Sequence, residues 1–158
     1  MDIQWSEAAL HCGKVLAAFA LALPIGWERQ RDERSVGLRT FPLVAVASCG
    51  YVLLAGKAFA NNAAEHSRVL QGLMTGIGFV GGGAILKTGA TVRGTATAAS
   101  IWNTGAVGAA VALGFYEIAV ILSLINLFVL QVFTRLEQKL FPAPDPPPGP
   151  PSRPERPA

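Results

Sequence analysis

Residues 41–60 read FPLVAVASCGYVLLAGKAFA. The stretch holds one charge, Lys57, close enough to its end for the long stem to carry the ammonium to an interface. As a helix rising 1.5 Å per residue, it covers roughly 30 Å, the thickness of a bilayer's hydrocarbon core. Pro42 falls in the first turn, where a missing N–H leaves no hydrogen bond unmade. A soluble helix of this length would carry charge along its outer face. The segment therefore reads as a membrane span.

The same pattern recurs in both directions. Charges gather in residues 1–7, 28–39, 65–68, 87–93 and from Arg135 onward, with apolar stretches between them. Only 15% of residues are charged, against roughly 25% in soluble proteins, so this spacing is not that of a water-facing bundle. The expected spans are Glu7–Trp27, with Pro24 near its end, then Phe41–Ala60, Val69–Leu86, Thr95–Gly114 and Tyr116–Phe133. The last is richest in Leu, Ile and Val and is expected to face lipid. The fold class is thus all-α, a polytopic membrane protein with five transmembrane helices. Lys14 is expected to snorkel to the outer interface.

Residues 1–140 are expected to form one five-helix membrane domain. Residues 141–158 hold nine of the eleven prolines and are expected to be a disordered proline-rich cytoplasmic tail. Asp2 and Glu7 stand where a signal peptide would be basic. The first apolar run closes on Gly26-Trp27-Glu28-Arg29, not on a small-residue cleavage site, so the first helix is expected to stay.

Counting Lys and Arg orients the chain. With the N-terminus outside, the inner segments hold ten: Arg29, Arg31, Arg34, Arg39, Lys87, Arg93, Arg135, Lys139, Arg153 and Arg156. The outer segments hold one, Arg68, beside Asp2, Glu7, Glu65 and Glu117. The net charge of +3 is spread over these loops without forming a stripe, so no nucleic-acid partner is expected. Cys12 and Cys49 lie in apolar segments and read as reduced packing residues.

Glycines crowd the third span: Gly72, Gly76, Gly78, Gly81, Gly82 and Gly83. Gly76-Ile77-Gly78-Phe79-Val80-Gly81 formally matches G-x-G-x-x-G, but no strand precedes it and no βαβ pattern surrounds it, so dinucleotide binding is rejected. As a membrane helix, Gly72-x-x-x-Gly76 and Gly78-x-x-x-Gly82 are pairs that let backbones approach. They lie on different faces, which places helix three at the centre of the bundle, packed on two sides. Helix four answers with Gly105-x-x-x-Ala109 and Ala106-x-x-x-Ala110. Tight packing is one reading. The other is that Gly78–Gly83 distorts the helix and opens carbonyls to an ion or solute.

Four motifs in order resemble the MgtC/SapB group of bacterial inner-membrane proteins. Gly26-Trp27-Glu28-Arg29-Gln30 followed by Val36-Gly37-Leu38-Arg39-Thr40 is similar to that family's G-x-E-R-[EQ] and A-G-L-R-T-H. Glu65-His66-Ser67-Arg68 stands for D-P-S-R, and Gly76–Gly83 resembles G-I-G-F-L-G-A-G. The segment from Val92-Arg93-Gly94-Thr95 through Thr97 to Trp102 also matches. The resemblance covers about residues 10–130. Phe41 replaces the family's histidine, and the soluble C-terminal domain of many members gives way to the proline tail. The resemblance implies a link to growth under magnesium limitation and action on other membrane proteins.

The candidate site is the cytoplasmic mouth. Glu28, at the inner end of helix one, needs a cationic partner if partly buried, and Arg39 and Arg93 are the expected ones. Thr40, Thr95 and Thr97 can cap helix starts or support an anionic group. Arg29, Arg31 and Arg34 read as solvated stop signals. Asn103, Asn126 and Gln131 are expected to bond neighbouring helices. No carboxylates converge for a metal, no catalytic set is visible, and no cofactor is expected. Two readings stay open. One is a non-enzymatic regulatory protein working through other inner-membrane proteins. The other is a small channel or transporter along the glycine face. A homo-oligomer is expected, since five short spans enclose little by themselves.

Overall fold

The structure is a computed structural model, which describes residues 4–31, 37–60, 62–89, 91–133, 136 and 140. Arg34, Val36, Arg135, Lys139 and the proline tail lie outside the described residues. Five helices follow in order: α1 (Trp5–Arg31), α2 (Thr40–Ala58), α3 (Ala63–Gly83), α4 (Thr95–Leu113) and α5 (Tyr116–Phe128). A π-helical stretch, Val129–Phe133, continues α5. Between α3 and α4 runs a small antiparallel ribbon, β1 (Leu86–Thr88) and β2 (Thr91–Arg93), with Leu86 opposite Arg93 and Lys87 opposite Val92. The chain is therefore mostly helical and not purely so. The two strands form where positive-φ Gly89 turns the chain, in a segment too short and too rich in Thr to continue a helix.

Four of the five helices are long and apolar enough to cross a membrane: α1, α2, α4, and α5 with its π extension. The third is not. Asn62 caps its start by accepting from the Glu65 amide at 3.3 Å, so α3 begins six residues earlier than expected and takes in Glu65, His66 and Arg68. These polar turns dilute its apolar half. Elsewhere large apolar side chains cover the outside, among them Leu16, Leu43, Leu54, Ile121, Leu124 and Phe128. A surface of this kind belongs in lipid, and α5 with its π extension contributes more large apolar side chains to it than the longer α1.

Helix α4, not α3, occupies the centre. It packs against all four other helices, and ten of its residues are buried, whereas α3 buries only Ile77 and Gly81. Side-chain volume explains the exchange. A Cβ at Gly105 would overlap the Ile77 side chain, and one at Gly108 would overlap the Ala45 carbonyl oxygen. At Gly72, Gly76, Gly78, Gly82 and Gly83 it would meet nothing within 4 Å. The glycines that close the bundle are those of α4, joined on α3 only by Gly81, which lies against the Ala98 carbonyl. The surrounding core is small: Ala18, Ala22, Ala45, Cys49, Val107, Val111 and Ala119 in one cluster, with Ile25, Phe41, Ile77, Ile101 and Leu130 in another. Cys12, by contrast, is exposed.

Polar side chains inside the bundle bridge helices, as expected of Asn103 and Asn126. Ser100 Oγ donates to Asn126 Oδ1 at 2.9 Å, and Asn103 donates to the Leu122 carbonyl at 3.1 Å. Ser123 donates to the Leu21 carbonyl at 2.8 Å, tying α5 to α1. Lys14 does more than snorkel: its ammonium donates to the Ala112 carbonyl at 2.7 Å, near the C-terminal end of α4. That carbonyl lacks a helical partner, and the cation sits at the negative end of the helix dipole.

One substitution at two glycines tests this packing. Gly108→Ala is expected to cost about 2 kcal/mol, as overpacked sites do. Gly78→Ala, with open space for its methyl, is expected to be neutral or stabilising by up to about 1 kcal/mol. Thermal unfolding in detergent, followed by circular dichroism, separates the two.

Candidate functional site

Most of the residues singled out from the sequence converge on one end of the bundle. There the C-terminus of α1 meets the N-termini of α2 and α4, the ribbon, and the π-helical end of α5. Helix α1 continues past Pro24 to Arg31, so Glu28, Arg29 and Gln30 lie on helix rather than in a loop. Close backbone approaches hold this end together. Gly26 lies against the turn at 37–38, where a Cβ would stand 3.2 Å from Leu38 Cα. Gly37 faces Gln30, and a Cβ there would be 2.6 Å from Gln30 Oε1. Gly81 meets the Ala98 carbonyl oxygen, 3.1 Å from its would-be Cβ. Gly94 precedes α4 at φ 89° and stands against the Ala84 carbonyl, so both its conformation and its space require glycine.

Arg29 is the central side chain of this end, contrary to its reading as a solvated stop signal. It is 3% exposed, and its Nη2 donates to the buried hydroxyl of Thr97 in the first turn of α4. A buried guanidinium demands such acceptors, because desolvating a cation is costly unless its donors are met. The α1 extension carries Arg29 inward; sequence reasoning missed it because the first span was ended at Trp27, which left Arg29 among the charges of the loop that follows. The signal that could have found it is spacing: Ala18, Ala22, then Ile25 and Gly26 side by side, and Arg29 follow at steps of three or four residues on the buried face.

Glu28 does not pair with Arg39 or Arg93 among the described residues. Its carboxylate accepts from Gln131 Nε2 at 3.4 Å, linking α1 to the π-helical stretch after α5. Arg39 is exposed just before α2, and Arg93 is exposed on β2 opposite Leu86. Thr40 opens α2 half-buried and Thr95 opens α4 exposed; neither makes a side-chain cap. Arg31, Arg39, Lys87 and Arg93 thus stand as a cationic rim around a buried arginine. Gln30, Gly37, Leu38, Arg39 and Thr40 line a polar recess of about 460 Å³ in that rim.

Other motif residues lie elsewhere. Glu65 and Arg68 form a 2.7 Å ion pair in the first turns of α3, at the far end of the molecule. Trp102 is half-exposed and lines an apolar groove of about 280 Å³ between α3, α4 and α5. Gly72 and Gly76 open onto a second groove, of about 400 Å³, between α2 and α3. Among the described residues, no three His, Cys, Asp or Glu side chains are grouped to hold a metal ion.

Spanning helices, a small-residue core and polar groups concentrated at the ends define a polytopic helical membrane protein. The model of the MgtC family matches residues 15–139, and the chain belongs to that family. Among its relatives is the Escherichia coli K12 protein named "Putative magnesium transporter YhiD", 36% identical over 132 residues, or 80% of this chain and 61% of that protein. Protein MgtC of Brucella abortus is 35% identical over 136 residues, 86% of this chain and 56% of its own length. A Synechocystis protein, slr0014, is 37% identical over 125 residues, 79% of this chain and 51% of that one. The chain spans about half to three fifths of these relatives' lengths. No solved structure matches it.

Removing the Thr97 hydroxyl that accepts from the buried guanidinium is expected to be costly. Thr97→Val keeps the shape and is expected to lose about 1–3 kcal/mol of stability, since it removes a hydrogen bond to a buried charged group. Arg29→Lys is expected to be destabilised likewise, because an ammonium lacks the planar fork. Thr95→Val, two residues away and exposed, serves as the unaffected control in the same melting experiment.

Proposed function

We propose that this chain is the membrane domain of a non-enzymatic regulatory protein of the bacterial inner membrane. It serves magnesium homeostasis, or growth at low magnesium, through contacts with other membrane proteins. The observation that carries this reading is the closed interior. Core side chains are small and apolar, and the buried polar groups bond from helix to helix instead of lining a path. The accessible charge is displayed at the ends, chiefly on the rim of Arg31, Arg39, Lys87 and Arg93. Such a rim suits recognition of a partner's acidic surface. The magnesium link rests on the name of the Escherichia coli relative.

That same name favours a second reading, a transporter for the ion itself. Flux of magnesium into vesicles holding the purified chain separates the two: the regulatory reading expects none above empty vesicles.

The N-terminus lies outside and the cationic rim faces the cytoplasm in this proposal, as the distribution of Lys and Arg directs. Thr88→Cys, at the exposed turn of the ribbon, in a chain whose exposed Cys12 is replaced by Ser, is then expected to react with an impermeant maleimide in inside-out vesicles and not in intact cells.

The functional test is growth of a deletion strain in low magnesium, complemented in turn by wild type, Arg39→Ala and Glu28→Gln at equal membrane levels. Wild type is expected to restore growth, and the two variants to restore it poorly. Equal rescue by all three would reduce these charges to topology signals.

A further inference from the structure

The ribbon between α3 and α4 stands clear of the bundle, with all residues of both strands exposed. Two strands alone are marginally stable at best in water, so so short a ribbon calls for a cover. Its register sorts the side chains. Leu86 opposes Arg93 and Thr88 opposes Thr91, so these four share one face, while Lys87 and Val92 share the other. Thr88, Thr91 and Arg93 line a polar recess of about 280 Å³. Beside it Leu86 is 68% exposed, and Val92 on the other face is 52% exposed.

The chain offers this recess no anion. Among the described residues, the Thr88 and Thr91 hydroxyls, the Arg93 guanidinium and the Lys87 ammonium have no side-chain partner. The opposite end differs: Lys57 is paired with Glu7 at 3.0 Å and Arg68 with Glu65 at 2.7 Å. No Asp or Glu stands between Glu65 and Glu117 in the sequence. Glu28, the one acid at the ribbon's end among the described residues, is bonded to Gln131. The place of the ribbon points to the source of the missing charge. Strand β2 leads through Gly94 directly into α4, a helix long and apolar enough to cross a membrane. A single residue between Arg93 and that span sets the guanidinium and the hydroxyls at headgroup depth.

We propose that the ribbon binds the phosphate of an anionic phospholipid in the leaflet that it borders. The fork of Arg93 matches the two non-bridging oxygens of a phosphodiester, and the Thr88 and Thr91 hydroxyls donate to the oxygens beside them. Leu86, on the same face, enters the acyl boundary next to the bound lipid. Lys87, on the other face, adds attraction to an anionic surface. A zwitterionic lipid brings its own ammonium, which Arg93 and Lys87 repel. Free phosphate would leave Leu86 and Val92 uncovered. The rim is thereby divided: Lys87 and Arg93 hold lipid, and Arg31 and Arg39 remain for a protein partner. The inference depends neither on the magnesium reading nor on which leaflet the ribbon borders.

Native mass spectrometry of the full chain, purified in an uncharged detergent, tests it with added phosphatidylglycerol or phosphatidylcholine. Phosphatidylglycerol is expected to be retained about tenfold more tightly. Arg93→Gln is expected to weaken that retention about tenfold, since it loses charge-assisted hydrogen bonds. Thr91→Val is expected to weaken it as well and Thr91→Ser to preserve it, which separates the hydroxyl from net charge. Lys57→Gln removes one charge from the opposite end and is expected to leave retention unchanged. These positions are exposed, so thermal unfolding in detergent is expected to be the same for all. Equal retention of the two lipids, or equal loss in Arg93→Gln and Lys57→Gln, would overturn the proposal. So would displacement of phosphatidylglycerol by inorganic phosphate alone, which would make the recess an ion site without a role for the acyl boundary. Loss of a co-purifying protein from Arg93→Gln membranes, with lipid retention unchanged, would give the ribbon to a protein partner instead.

Discussion

Contact of backbone with backbone between α4 and α2, where Gly108 lies under the Ala45 carbonyl, is the constraint on which this fold rests. In a bilayer no hydrophobic force draws one apolar helix to another, so association depends on close packing and on hydrogen bonds between helices. A core of alanine, valine and glycine serves the first need, because small side chains let axes approach and add many weak contacts. Ser100 with Asn126, Asn103 with Leu122 and Ser123 with Leu21 serve the second. With α4 fixed against α2, the remaining helices find their places around it.

The charged end depends on that frame. Arg29 finds one of its acceptors inside because α4 starts where Thr97 can accept from it, and α4 starts there because Gly94 lets the chain turn beneath the Ala84 carbonyl. Gly26, Gly37 and Gly81 bring the neighbouring segments within reach. Gly26, Gly37, Gly81 and Gly94, drawn from three of the four motifs, thus belong to one assembly: glycines for close approach around a buried cation. Glu65 and Arg68, at the far end of α3, stand apart from it, as do Trp102 and the open glycines of α3. Around the assembly, Arg39, Lys87 and Arg93 stay accessible, which separates a structural arginine from those free to meet another molecule.

Much of the architecture was legible in the chain. Five helices lie close to where apolar length placed them, with ends near the expected residues for α2, α4 and α5. The polar residues of the spans, Asn103 and Asn126, bond neighbouring helices as their cost in hydrocarbon requires. The start of α3 was also readable, since Asn62 three residues before Glu65 is a capping pair. The ribbon was harder to see, because Leu86–Arg93 carries turn signals in a stretch too short for strand alternation to declare itself.

Sequence by itself determined the class of protein, the number of helices and the end at which the cations gather, because apolar length and charge position are properties of the chain alone. Only the tertiary structure decided that α4 and not α3 is central. Six glycines on α3 and two on α4 look alike as packing signals until each is asked what its missing Cβ would strike. It decided, too, that Arg29 rather than Arg39 or Arg93 is the buried cation. Burial is a relation among helices, and no single helix carries it in its own residues.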